Sequence, residues 1–166
     1  MNIYPEIFSI IRYKSEQEFF DNFSIKDLNI ICTGGQNLLH ESITAKNKKS
    51  ISEYLIKEKI NVNKQDDSGM TPLHYCSIYK DFSVAELILK HGGDLSISDN
   101  YGNQPLWTAT FNCKGRYYDM VKLFIAYGAD AYHVNNAGRS PLDFAKIRRD
   151  QLLIDILMKT NLNSSK

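Results

Sequence analysis

Apolar residues along the chain fall in short clusters, and the clusters come in pairs. Ile7, Phe8, Ile10 and Ile11 are followed, across the polar Lys14-Ser15-Glu16-Gln17-Glu18, by Phe19, Phe20 and Phe23. Leu38 and Leu39 precede Ile51, Tyr54, Leu55 and Ile56. Further on, Val84, Leu87, Ile88 and Leu89 form one stripe, Met120, Val121, Leu123, Phe124 and Ile125 another, and Leu152, Leu153, Ile156 and Leu157 a last one. Intervals of three and four residues within these stripes put the side chains on one helical face. The runs are short, so the pattern predicts pairs of short amphipathic helices rather than a few long ones.

The stretches between the pairs repeat as well. Asp66-Asp67-Ser68-Gly69-Met70-Thr71-Pro72-Leu73-His74 reads as a tight turn leading into a helix start. Gly69 suits the turn, Thr71 the N-cap, and Pro72 the first helical position, where a missing N–H costs nothing. Gly102-Asn103-Gln104-Pro105-Leu106-Trp107 and Gly138-Arg139-Ser140-Pro141-Leu142-Asp143 are downstream copies, and Gly35-Gln36-Asn37-Leu38-Leu39-His40 is a weaker upstream one. Gly69 and Gly102 stand 33 residues apart, which is the period of one repeat class. The Gly35–Gly69 and Gly102–Gly138 spacings, 34 and 36 residues, call for short insertions. Gly92-Gly93-Asp94-Leu95 and Gly128-Ala129-Asp130 read as helix stops, with Gly92 suited to a left-handed C-cap.

Thr71-Pro72-Leu73-His74 at this period resembles the ankyrin repeat. The resemblance covers residues 32–160 well and 1–31 loosely, through Asp27-Leu28-Asn29. It implies an all-α ankyrin-repeat solenoid of about five helix-turn-helix units with short hairpin turns. The implied domain spans 1–160: a degenerate N-terminal cap at 1–31, units at 32–65, 66–98 and 99–134, and a C-terminal cap at 135–160, with a frayed tail at 161–166. Terminal units turn one face to water, which accounts for the drift of the first and the polar outer face of the last. Two features depart from the family pattern. The Thr44–Lys49 turn is lysine-rich with one extra residue. In the fourth unit Gln104 and Trp107 replace the Thr and His, and Phe111–Tyr118 is about three residues longer than the usual inter-helix turn.

Composition narrows the function. The 166 residues are 43% hydrophobic with a net charge of +1, which makes no electrostatic case for nucleic acid. No apolar run approaches the roughly 20 residues of a membrane helix, and Ile7–Ile11 is too short for a secretory segment. Cys32, Cys76 and Cys113 are odd in number and far apart, so neither a disulfide framework nor a zinc site is expected, and a reducing cytosol is. Richness in Ile, Asn and Lys fits an AT-rich bacterial genome.

Catalytic motifs are missing: no Gly-rich phosphate loop, HExxH, CxxC or G-x-S-x-G. The resemblance gives Thr71, His74 and His40 a hydrogen-bonding role at the hairpin base. Asp66 and Asp99 read as turn aspartates. His91 belongs to a helix C-terminus, and His133 to exposed surface before the last hairpin. Cys76 fits a small packed position. Cys113 is expected to be exposed in the insertion.

What remains is surface. In this family partners dock on the hairpin tips and first helices. That register gives Met70, Ile78, Tyr79, Tyr101, Asn103, Phe111, Asn112, Arg116, Tyr117, Arg139 and Arg148 as partner-binding candidates, aromatics, Met and Arg being types enriched at interfaces. Trp107 is expected to pack instead, and Tyr79 and Tyr101 to approach the insertion. The resulting expectation is a cytoplasmic, non-enzymatic module without metal or cofactor, a monomer when free, that binds one protein partner. Resemblance to ankyrin immunity proteins suggests that the partner is a toxin domain. The alternative is a scaffold or regulator, or a secreted effector that binds a host protein.

Overall fold

The computed structural model describes residues 6–45 and 48–159. The expected tail at 161–166 and the centre of the Thr44–Lys49 turn lie outside the described residues. Two compact units divide the chain, residues 1–93 and 94–166.

The N-terminal unit holds α1 (Glu6–Tyr13), α2 (Glu16–Asn22), a 3-10 turn at Ile25–Asp27, α3 (Leu38–Thr44), α4 (Lys49–Lys57), α5 (Pro72–Tyr79) and α6 (Phe82–Lys90). Helices α1, α3 and α5 form one row, each packed on the next, and α2, α4 and α6 the second. The expected N-terminal helix pair is therefore present, and it extends both rows by one helix. Phe8, Ile11, Phe19, Leu38, Leu39, Ile51, Leu55, Leu73 and Ile88 are fully buried between the rows.

The C-terminal unit repeats this plan with α7 (Pro105–Asn112), α8 (Asp119–Ala126), α9 (Pro141–Ile147) and α10 (Gln151–Met158). Helix α7 packs on α8 and α9, and α10 on α8 and α9. Leu106, Val121, Phe124, Leu153 and Leu157 form its centre.

Local chemistry sets each helix start. Asn37 Oδ1 accepts the His40 N–H at 3.2 Å, Ser140 Oγ accepts that of Asp143 at 3.1 Å, and Asp81 and Asp150 do the same for Val84 and Leu153 at 3.1 Å. Pro72, Pro105 and Pro141 occupy first helical turns as the sequence predicts.

The connecting turns are hairpins built on one scheme. Asp66 Oδ1 accepts from Ser68 and Met70 N–H at 2.9 and 2.8 Å; Asp99 Oδ1 accepts from Tyr101 and Asn103, both at 2.9 Å. Asn135 Oδ1 does so for Ala137 and Arg139 at 3.0 and 3.1 Å. Within each unit neighbouring hairpins are joined by one rung, Asp67 N–H to Gly34 O at 2.9 Å and Asn136 N–H to Tyr101 O at 3.0 Å. That close approach is why Gly35 and Gly102 are glycines. Both have positive φ, +74° and +77°, and a Cβ would stand 2.9 Å from the Asp67 nitrogen or 2.8 Å from the Asn136 nitrogen.

Candidate functional site

The signature positions do structural work in the N-terminal unit. The His40 ring is fully buried. Its Nδ1 faces the Asn37 N–H at 3.2 Å and its Nε2 the Met70 carbonyl at 3.2 Å. A bare Nδ1 and a protonated Nε2 satisfy both partners. Burial holds the ring neutral by lowering its pKa to about 4. His74 Nδ1 accepts the Thr71 N–H at 3.0 Å in the same way. Next to His40, Tyr75 meets the imidazole edge-on, 4.9 Å between centroids. Its hydroxyl donates to Asp66 Oδ2 at 2.7 Å and accepts from Gln36 Nε2 at 2.5 Å, bridging two hairpins. Burial, then Asp66, raises the pKa of this phenol.

In the C-terminal unit the same positions carry other side chains. Trp107 takes the histidine slot and Phe144 the Tyr75 slot. The rings again meet edge-on, 5.6 Å apart at 66°. Trp107 is half-buried, so the expectation that it packs holds. Phe144 has no hydroxyl, and the hairpin bridge is made directly by Asn135 Nδ2 and Asn103 Oδ1 at 2.7 Å. Phe111, one turn beyond Trp107, lies against Phe144 at 5.6 Å, and the Arg148 guanidinium sits 5.8 Å from the Phe144 ring centre. Phe111 and Ile147 are 60% and 62% exposed. The α7–α9 face thus presents an apolar surface that its own packing leaves open.

The remaining candidates divide by position. Tyr101, Asn103 and Arg139 lie on hairpins, before α7 or α9. Phe111, Asn112, Arg116 and Tyr117 lie at the far end of α7, one helix length of about 12 Å away, so Tyr101 and the insertion stand at opposite ends of that helix. Arg116 stacks on Tyr117 at 5.0 Å. Asn103 is tied into its hairpin, and Asn112 Nδ2 donates to Thr108 O at 2.9 Å, which closes the helix. In the N-terminal unit Met70 is half-buried. Ile78 and Tyr79 are exposed at the end of α5, where Tyr79 stacks on Tyr75 at 6.4 Å. An open cleft of about 350 Å³ lies there among Ser42, Ile43, Ala45, Lys48, Lys49, Tyr79, Lys80 and Asp81.

Three expectations need correction. Tyr101 does not approach the insertion, because the length of α7 separates them. Cys113 is not exposed: it is 3% accessible, its thiol donates to the Thr110 carbonyl at 3.0 Å, and burial raises its pKa. The long turn folds Cys113 inward, half-buries Tyr118 and exposes the residues between them. His133 is more than surface filler. Its Nε2 meets the Gly102 carbonyl at 3.0 Å. Gln65 serves the equivalent Gly69 carbonyl one hairpin earlier, at 2.9 Å; Ser98, in the Gln65 position, is too short. Sequence reasoning also passed over Arg12 and Glu41. Glu41 is fully buried and held by the Arg12 guanidinium through two bonds of 2.5 and 2.7 Å, joining α1 to α3. The separation of 29 residues leaves no local signal for the pair.

All three thiols are buried, and burial raises the pKa of each, which makes them poor nucleophiles. Among the described residues no group of three His, Cys, Asp or Glu side chains converges to hold a metal ion. Among the described residues no helix is long and apolar enough to cross a membrane.

Helix pairs, rung-linked hairpins and the buried signature histidines together define a repeat protein of the helix-turn-helix class. The family model of ankyrin repeats in three copies matches residues 9–99 and 39–133, and the chain belongs to the ankyrin repeat family. Two chains of Fowlpox virus (strain NVSL) that carry the ankyrin repeat name, FPV034 and FPV024, are similar to it. The first is 32% identical over 57% of this chain and 23% of the relative, the second 31% over 78% and 21%. An ankyrin repeat chain of Rickettsia bellii (strain RML369-C) is 32% identical over 63% of this chain and 30% of its own length. The chain thus spans less than a third of each of these relatives. Poxvirus and bacterial chains share the repeats, so the repeats identify the fold and not the source. The family's repeats are protein-binding modules, and this chain carries that module.

Proposed function

We propose that the chain binds a protein partner through the α7–α9 face of its C-terminal unit. The observation that carries this reading is the pair Phe111 and Ile147, both more than half exposed beside Phe144 and Arg148. Thr44 of α3 stands where α7 has Phe111, so the fold does not require a large apolar side chain at that position; Ile78 of α5 stands where α9 has Ile147. Aromatic and Arg anchors are what protein interfaces use. Tyr101, Asn103 and Arg139 at the hairpins and Arg116, Tyr117 and Asn112 at the insertion are the flanking contacts of the same reading; Met70, Ile78 and Tyr79 are candidate contacts of the N-terminal unit by itself. Buried, protonated thiols suit a reducing compartment such as the cytosol.

Inhibition of a toxin domain is the narrower form of the proposal, and it rests on the sequence reading alone. The general scaffold is its competitor. Capture with tagged wild type and with Phe111→Ala combined with Ile147→Ala tests the surface. Proteins retained by the wild type and released by the variant, at unchanged melting temperature, support it. Equal retention contradicts it. A retained toxin whose growth arrest is relieved by co-expression selects the narrower form; persistent arrest removes it.

A further inference from the structure

Five cations lie in the turn that follows α7 and in the last turn and exit of α9. Lys114 and Arg116 come from the long α7–α8 turn, and Lys146, Arg148 and Arg149 from the end of α9; all five are exposed. The two turns are tied together, because the Tyr118 hydroxyl bonds Asp150 Oδ1 and Oδ2 at 3.0 and 2.9 Å. Nearby carboxylates are already committed. Asp150 also caps α10 through Leu153 N–H at 3.1 Å, Asp143 accepts from Ser140 at 2.8 and 3.0 Å, and Asp119 pairs with Lys122 at 3.3 Å. Among the described residues none of the five cations has a carboxylate within ion-pair distance. In a chain whose net charge is +1, this is a local concentration. Lys114 and Arg149 further hold left-handed backbone, φ 52° and 53°, which costs a long side chain about 1 kcal/mol that Gly or Asn would avoid.

We propose that this end of the α7–α9 face takes an acidic protein segment with an apolar anchor, an inference that rests on the proposed protein-binding function. The anchor lies on Phe111, Phe144 and Ile147, and the carboxylates meet the cation rim. The Arg148 guanidinium lies over Phe144 and that of Arg116 over Tyr117, and a guanidinium is the side chain that can engage a carboxylate two bonds at a time. Single-stranded nucleic acid is the competing acidic ligand, and it needs open ring faces for base stacking. Here Phe144 and Tyr117 carry a guanidinium and Ile147 offers no stacking face, which leaves Phe111 without a second open ring beside it for successive bases.

Fluorescence anisotropy of the full chain tests this with three labelled probes: a 15-residue peptide of alternating Glu and Leu with one Trp, the same peptide with Lys for Glu, and a 15-nucleotide single strand. The expected result is saturable binding of the acidic peptide alone. That binding should weaken at least tenfold in Lys146→Glu with Arg148→Glu, and also in Arg116→Glu, a turn variant that spares α9, with melting temperatures unchanged. No saturable binding of the acidic peptide, equal binding of the basic one, tighter binding of the single strand, or indifference to both charge reversals overturns the proposal. Capture of cellular partners separates it from the broader function. Loss in Phe111→Ala with Ile147→Ala but not in the charge reversals leaves the protein-binding surface standing and removes its acidic ligand. Loss in neither removes both.

Discussion

The two units place different side chains on one frame. At the slot three residues after the helix cap, the N-terminal unit has His40 and the C-terminal unit Trp107. At the next slot on the neighbouring helix they have Tyr75 and Phe144. Both pairs meet edge-on, at 4.9 and 5.6 Å. In the first unit every polar atom of the pair is spent internally, on the Asn37 N–H, the Met70 carbonyl, Asp66 and Gln36. In the second the indole N–H is the pair's one polar group, the hairpins are bridged without it, and Phe111 and Arg148 extend the ring cluster outward. Repeats need a hairpin bridge and a filled slot, but not a particular side chain for either. Where a simpler bridge suffices, the slot is free to carry a different ring.

The frame itself should be the most sensitive element, and equally so in both units. Gly102→Val places a β-branched residue at positive φ against the Asn136 backbone and is expected to cost about 3 kcal/mol. Gly35→Val should cost as much. Urea midpoints measure both, and a large loss in one unit alone would break the equivalence.

Acid separates the slots. His40 titrates near 4 when folded and near 6.5 as a free side chain, so the unfolded chain binds the proton first. Its contribution is complete above pH 6.5 and falls as the pH drops towards 4, by an amount on the order of 2–3 kcal/mol. Stability measured from pH 7 to 4 should fall accordingly, and His40→Gln should flatten that part of the curve. Trp107 does not titrate, so a Trp107→Phe variant should keep the full slope. A wild-type curve already flat over this range would contradict the buried neutral ring.

Removing the bridge in the first unit is the next effect down. Tyr75→Phe strands Gln36 and Asp66 and should cost about 1–2 kcal/mol. Smallest is the exchange Trp107→His with Phe144→Tyr, which writes the first unit's pair into the second. Stability should change by less than about 1 kcal/mol because Asn103 and Asn135 already bridge the hairpins. A loss comparable to Tyr75→Phe would show that the second unit depends on its own ring pair.

The frame was legible because its chemistry is local. Gly, cap residue and Pro lie within a few positions, and each has one physical use at a hairpin followed by a helix. The first helix pair was legible from spacing alone, although it lacks that punctuation. Contacts between distant residues were not. Arg12 and Glu41 are ordinary helix-surface types in sequence, and only the packing of α1 on α3 buries the carboxylate. His133 looked idle because the atom it serves belongs to a hairpin 31 residues earlier. Cys113 was misread because its neighbours are polar, whereas one turn of backbone carries the thiol inward. Phe111 and Arg148 were placed correctly at an exposed register position, but the Phe144 ring that gathers them could not be read as their meeting point.

The central claim is that the α7–α9 face is kept for binding while its N-terminal counterpart holds the fold. It is tested most directly by measuring partner affinity and thermal stability together for Phe111→Ala with Ile147→Ala and for Tyr75→Phe. The first variant should lose at least tenfold in affinity, about 1.4 kcal/mol, while its melting temperature holds. The second should melt earlier and bind normally per folded molecule. A first variant that melts early yet binds at full affinity when folded would contradict the assignment of this face.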